Sequence, residues 1–191
     1  MNQLSVLICS LDKRLDQLDG LLKQLYSQRL KLEFPNQVQF RIERDNGEMS
    51  VGAKRNKLLE RATGEYLCFC DDDDKVSDNY LELLVKATES GCDCASLKGQ
   101  ITIDGGPPEI FEHSLKYNEW LTNPEGAEIR YERYPNHLNL IKSSIAKKFK
   151  FPEKSHGEDH DWSRQIHESG LLKTEHYIPE VIYYYNYISN K

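Results

Sequence analysis

Short apolar runs and longer apolar stripes alternate through the first half of the chain. Leu4-Ser5-Val6-Leu7-Ile8-Cys9 has the length and make-up of a buried strand. Leu15, Leu18, Leu21, Leu22 and Leu25 recur at helical spacing and predict an amphipathic helix covering one face of a sheet. Val38, Phe40 and Ile42 alternate with polar residues, predicting a second strand to about Glu43. Beyond the turn-forming Asp45-Asn46-Gly47, Ser50 is placed to cap a helix running through Ala62, with Gly64 at its stop. Tyr66-Leu67-Cys68-Phe69-Cys70 reads as a third buried strand, and Ser77 as the cap of a helix carrying Tyr80, Leu81, Leu84 and Val85.

Strand and helix thus alternate three times, the order that builds an α/β parallel sheet with right-handed crossovers. Ligands of such sheets bind beyond the carboxyl ends of the strands. Three polar clusters fall there, Ser10 to Arg14, Asp45 to Gly47 and Asp71 to Asp74, and are predicted to share one rim. The second half is patterned differently. Ala95 to Ile103 predicts one or two strands, Asp104 to Pro108 a turn, and the tyrosine-rich Val181 to Ile188 a further strand. A helix is predicted from near Glu158 to Ser169, ended by Gly170. Without an internal repeat, linker or low-complexity segment, residues 1–191 read as one domain.

Charge sharpens this picture at one place. Lys and Arg number 25 and Asp and Glu 31, a net −6, and four of those acids are the run Asp71-Asp72-Asp73-Asp74. The acidity is therefore local, which points to a cation. With no Lys/Arg-rich run, a broad nucleic-acid footprint is excluded. The five cysteines are odd in number and include the pairs Cys68/Cys70 and Cys92/Cys94. In a strand Cys68 and Cys70 share a face, so they read as small buried hydrophobes, and the two pairs match neither a disulfide framework nor a zinc site. A reducing, cytoplasmic location is expected. No basic leader precedes the first apolar run, and nothing approaches the ~20 apolar residues of a membrane helix, so a soluble protein is expected.

Adjacent carboxylates repel one another unless a cation or hydrogen-bond donors offset them. A hard divalent ion held by one or two carboxylates plus substrate phosphates fits the acid run. A solvated acidic turn before a helix also accounts for it. Asp71, Asp73 and Glu82 match three calcium-loop positions, but Lys75 and Val76 stand where an oxygen ligand and the turn glycine belong. In Gly52-Ala53-Lys54-Arg55-Asn56, Arg55 suits a base and Lys54 a phosphate; an exposed basic helix face is the plainer account. Gly157-Glu158-Asp159-His160-Asp161-Trp162 offers a carboxylate able to take a proton from a sugar hydroxyl, or simply acids favourable to a helix N-terminus. Trp120, Tyr134 and Trp162 are candidates to stack on a bound ligand, or core residues.

Taken together these segments resemble the family-2 glycosyltransferases. The opening strand through Ser10, then Gly52 to Asn56, then Ala62-Thr63-Gly64-Glu65-Tyr66, then Phe69 to Asp74 follow that family's core order and spacing, and Gly157-Glu158-Asp159 its downstream acid motif. The resemblance implies the GT-A fold, a Rossmann-like mixed, mainly parallel sheet flanked by helices. Residues 1–100 would form a nucleotide-sugar-binding half and residues 101–191 an acceptor-binding half. It further implies an inverting, Mn2+- or Mg2+-dependent transfer from a nucleotide sugar, commonly a UDP-sugar, to a hydroxyl of a glycan or other acceptor. Ser10 and Asp45 match the residues that hold uracil and ribose, and Arg55 the one beside the base. Asp71 and Asp73 match the DxD motif, Asp73 as direct metal ligand and Asp71 nearer the ribose, with the adjacent Asp72 giving a second register. Asp159 matches the catalytic base.

The chain departs from the family at three points. Cys9 replaces a usual proline, Tyr184 to Ile188 lacks the Arg-x-His that often supplies a third metal ligand, and the processive Gln-x-x-Arg-Trp is absent. Single-sugar transfer follows from the last. Two other readings stay open at this level. A metal-dependent nucleotidyl or phosphoryl transferase should carry a Gly-rich phosphate loop, and neither common form is present. A non-catalytic module binding a nucleotide sugar or Ca2+ is the other.

Overall fold

Strand β1 (Leu4–Leu11) divides its side chains between two cores. Leu4, Val6 and Ile8 join one hydrophobic cluster while Leu7 joins the other, the two-residue period of a strand buried on both faces. Strand β3 (Tyr66–Phe69) does the same, with Tyr66 and Cys68 on the first face and Leu67 and Phe69 on the second. Both strands are covered by helices. On the first face lie α1 (Leu15–Arg29), through Leu18, Leu21 and Leu25, and α3 (Tyr80–Glu89), through Leu81 and Leu84. On the second lie α2 (Val51–Arg61), through Leu58 and Leu59, the short α4 (Ser143–Ala146), through Ile145 and Ala146, and α5 (Glu158–Ser169), through Trp162 and Ile166. Leu15, at the start of the predicted stripe, is exposed.

The computed structural model describes residues 3–189, which form two six-stranded sheets. In the first, β1 lies between β2 (Val38–Asp45) and β3, parallel to each, as predicted. The sheet continues from β3 to the short β10 (Ile141–Lys142), then β5 (Cys94–Ala95) and β11 (Glu175–His176), with β10 antiparallel to its neighbours. The second sheet runs β4 (Lys75–Val76), β12 (Val181–Tyr187), β6 (Leu97–Ile103), β7 (Glu109–His113), β9 (Tyr131–Arg133), β8 (Leu121–Thr122). Its strands β12 and β6 are parallel and most of the rest antiparallel. The tail strand is therefore internal to this sheet.

Two expected helix boundaries have different causes. Ser50 caps α2 as predicted, its Oγ accepting from the Ala53 N–H. The cap of α3 is Asn79, not Ser77; Ser77 contributes its carbonyl to the Tyr80 N–H and turns its hydroxyl onto Asn79. Gly64 does not end α2 by a left-handed turn, since Ala62 already leaves the helix in an extended conformation. A Cβ at residue 64 would lie 2.6 Å from the Ser5 N and 2.7 Å from the Tyr66 O, so Gly64 lets the chain enter β3 tightly against β1. The cysteines are free, with Cys68, Cys70 and Cys94 buried. No helix among the described residues is long and apolar enough to cross a membrane.

Candidate functional site

Because β1, β2 and β3 are parallel, their carboxyl ends meet at one edge, and the three polar clusters interlock there. Ser10 donates its hydroxyl to Asp72 at 2.7 Å. Arg14 reaches Asp72 at 2.9 Å and Asp73 at 3.4 Å. Asp45 closes the turn after β2 by accepting the Gly47 and Met49 N–H groups, and it binds the Lys54 ammonium at 2.5 Å. Burial works to raise the Asp45 pKa, but Lys54 and the two N–H groups outweigh it and hold the carboxyl below its ordinary value. Lys54 is itself buried and donates a second bond to the Ser10 carbonyl, so the phosphate contact expected of it is not the one observed.

The four consecutive carboxylates are offset by neighbouring donors, with Asp72 and Asp73 sharing Arg14 and Asp71 and Asp74 turning to other partners. Asp71 faces Arg55 Nη2 at 3.2 Å and His137 Nε2 at 3.6 Å. Burial opposes its ionisation, yet the neighbouring Arg55 guanidinium holds it well below the usual carboxylate range. Asp72 is buried and its pKa is raised by that burial, against the pull of Ser10 and Arg14. Asp74 is buried too; it accepts a hydrogen bond from the Tyr183 hydroxyl at 2.7 Å on one oxygen, and its other oxygen has no hydrogen-bond partner among the described residues. Burial, with the Asp71 charge beside it, pushes the Asp74 carboxyl well up. The same Tyr183 hydroxyl accepts the Asp71 N–H, so β12 braces the run from below.

The run forms a ridge between two recesses of about 450 Å³ each. Asp71 and Asp74 line one, while Asp72, Asp73 and Asp74 line the other beside α1. Ser10 and Asp45 line neither, and join the rim through Asp72 and Lys54. Among the described residues no three His, Cys, Asp or Glu side chains gather to hold a metal by themselves. Carboxylate oxygens are the ligand type a hard cation takes, and Asp73 is the half-buried carboxylate of the run on the side facing α1.

The downstream acid cluster opens α5. Gly157 precedes it with φ 71°, a left-handed turn that suits glycine. Glu158 turns inward to pair with Arg55 Nη1 at 2.8 Å, and Asp159 lies 3.7 Å from His137 Nδ1. Arg55 is buried over the rings of Phe69 and Phe151, held between Asp71 and Glu158. Asp71 and Asp159, distant in sequence, thus reach one histidine and line one cavity.

Away from the acids that cavity is walled by Ile101, Phe111, Trp120, Tyr131 and Tyr185, with Arg133 among them. Of the three aromatics offered for stacking, only Trp120 lines it. Trp162 is fully buried and stacked on Phe151, and Tyr134 is buried against His167. Burial pushes the Cys9 and Cys68 thiols up to about 12, which removes them as nucleophiles. Sequence reasoning placed Arg14 on the rim without giving it a role, and missed His137 and Tyr183 as residues beside the acid run. Their chemistry was visible, but each acquires its neighbours only through sheet pairing or a loop with no periodicity.

Comparison with known proteins gives three findings. A family model described as glycosyl transferase family 2 matches residues 13–152. No curated protein matches the sequence significantly. Among solved structures, the 1–349 fragment of TarS from S. aureus superposes with a TM-score of 0.64 at 17% identity, over 96% of this chain and 60% of that one. Its complex with UDP-GlcNAc gives 0.63 at 13% identity over 99% and 60%. The catalytic domain of Drosophila beta1,4galactosyltransferase 7, in complex with xylobiose, gives 0.56 at 13% identity over 94% and 67%. The chain spans about 60% of the TarS fragment's length.

Proposed function

The chain belongs to glycosyl transferase family 2 and has the GT-A fold, and on that premise we propose that it moves one sugar from a nucleotide sugar of the UDP class to a hydroxyl of an acceptor glycan. The observation that carries the reading is the convergence of Asp71 and Asp159 on one cavity at the strand ends. The UDP class is supported by the TarS fold likeness, since structures of TarS hold UDP and UDP-GlcNAc. Residues 1–100 serve the donor and residues 101–191 the acceptor.

In this reading Ser10, Asp45, Arg55, Asp71 and Asp72 form the donor side. Ser10 and Asp45 face the uracil and ribose, Arg55 lies beside the base, and Asp71 lies nearer the ribose. Mn2+ or Mg2+, when bound, offsets charge on the leaving diphosphate, and Asp73 is the residue to hold it. Asp159 takes the proton of the acceptor hydroxyl while that oxygen bonds to the anomeric carbon. The bond from that carbon to the diphosphate oxygen breaks, UDP departs with the electron pair, and the configuration inverts.

The test supplies Mn2+ with UDP-glucose, UDP-galactose or UDP-GlcNAc and follows UDP release, with water or added oligosaccharides as acceptor. Asp159→Asn should slow turnover by roughly 10²–10⁴-fold and leave UDP binding unchanged. Asp73→Ala should lose the part of UDP binding that EDTA also removes. Full turnover in Asp159→Asn would remove the assigned base, and absence of UDP binding by the wild type would remove the donor class.

A further inference from the structure

His137 stands between the acid of the donor side and the acid read as the base. Its ring is buried, 5% exposed, on a loop whose backbone is fixed at several points. The His137 carbonyl accepts the Phe69 N–H, and the Asn136 and Leu138 N–H groups are taken by the side chains of Asn139 and Asn136. Nε2 lies 3.0 Å from Arg55 Nη2. Nδ1 faces Asp159 Oδ2 at 3.7 Å and has no hydrogen-bond partner among the described residues.

A guanidinium only donates hydrogen bonds. Nε2 faces two groups, Arg55 Nη2 at 3.0 Å and Asp71 Oδ2 at 3.6 Å. Only the arginine is within hydrogen-bond length, and an N–H on Nε2 would confront the N–H of that arginine, so Nε2 accepts. The single proton of the neutral ring is then on Nδ1, the atom turned toward Asp159. We propose that His137 is a positioning residue: Arg55 fixes its tautomer, and its Nδ1–H holds the Asp159 carboxylate in the orientation that meets the acceptor hydroxyl. The present 3.7 Å is longer than a hydrogen bond. A small rotation of the Asp159 side chain closes it, the kind of tightening expected when substrates bind. Arg55 also pairs with Asp71, so one guanidinium ties the donor side to the orientation of the base.

This inference rests on Asp159 being the base, and its test separates the two ideas. Asn at residue 137 offers an amide N–H near the place of Nδ1, whereas Gln offers its amide near the place of Nε2, and Ala offers neither. His137→Ala and His137→Gln should lower kcat by roughly 10²-fold with UDP affinity and donor KM kept, and His137→Asn should recover most of the loss. Equal losses in all three variants, or a loss confined to donor KM, would overturn the role. The second readout needs no turnover. In 15N-labelled wild-type protein at neutral pH, the His137 ring signals, identified by their absence from His137→Asn, should show protonated Nδ1 and unprotonated Nε2. The opposite tautomer or a doubly protonated ring overturns the proposal. If Asp159→Asn turns over normally, the base reading falls and this inference with it. If Asp159→Asn is crippled while His137→Ala is not, His137 alone is excluded.

Discussion

Lys54 is 2% exposed, and its ammonium pairs with the Asp45 carboxylate. Removing one partner of a buried pair leaves the other uncompensated, at a cost of about 3–5 kcal/mol. Asp45→Asn should therefore unfold at clearly lower temperature or urea than the wild type at pH 7. The pH dependence has a definite sign. The Asp45 pKa is lowered in the folded state, so its contribution is complete above the unfolded value of about 4 and is lost as pH falls through the folded value. Thermal unfolding at pH 7, 5 and 3 should show the two proteins converging only at the acid end; an equal gap at every pH would place the effect elsewhere. The residue types on this rim were legible in the sequence, their pairings less so. Lys54 reads as a phosphate ligand until the first turn of α2 is seen to point it back at Asp45 and the Ser10 carbonyl.

Two glycines within helices give opposite expectations. Gly52, in the first turn of α2, packs so closely on the segment before α5 that an added Cβ would lie 1.9 Å from the Pro152 carbonyl oxygen. Gly20, within α1, would meet nothing within 4 Å. Gly52→Ala should cost about 1–3 kcal/mol by overpacking, and Gly20→Ala should add roughly 0.5–1 kcal/mol through helix propensity. Urea midpoints of the two variants measure the contrast, and a Gly52→Ala protein as stable as the wild type would refute it. At this scale the first half of the chain was readable because its strands and helices are long enough to show a period. The second sheet was largely hidden. Its strands β4 and β8 have two residues each and β9 three half-buried ones, too few for alternation to register. Ser77 shows the same limit in small: a good capping residue type, two positions from the residue that takes the cap position.

Across the whole molecule, the two sheets meet at Tyr183. It belongs to β12 in the second sheet, yet its hydroxyl holds the backbone of Asp71 and the carboxyl of Asp74 beyond the end of β3 in the first. Tyr183→Phe should leave Asp74 without its donor and cost about 1–3 kcal/mol, with UDP affinity falling alongside stability because the acid run loses its brace. Calorimetry with and without UDP and Mn2+ reads the two effects; an unchanged unfolding temperature would show that Asp74 is satisfied without Tyr183. That strand has a further consequence in time. On the ribosome, β4 and β6 emerge long before β12, the strand that lies between them. The acid run is therefore synthesised early but acquires its brace from the second sheet only when Tyr183 has been translated. A chain interrupted before that residue would carry every acid of the run and the arginine partners of Asp71, Asp72 and Asp73, but Asp74 and the Asp71 N–H would lack the hydroxyl that ties the run to the second sheet.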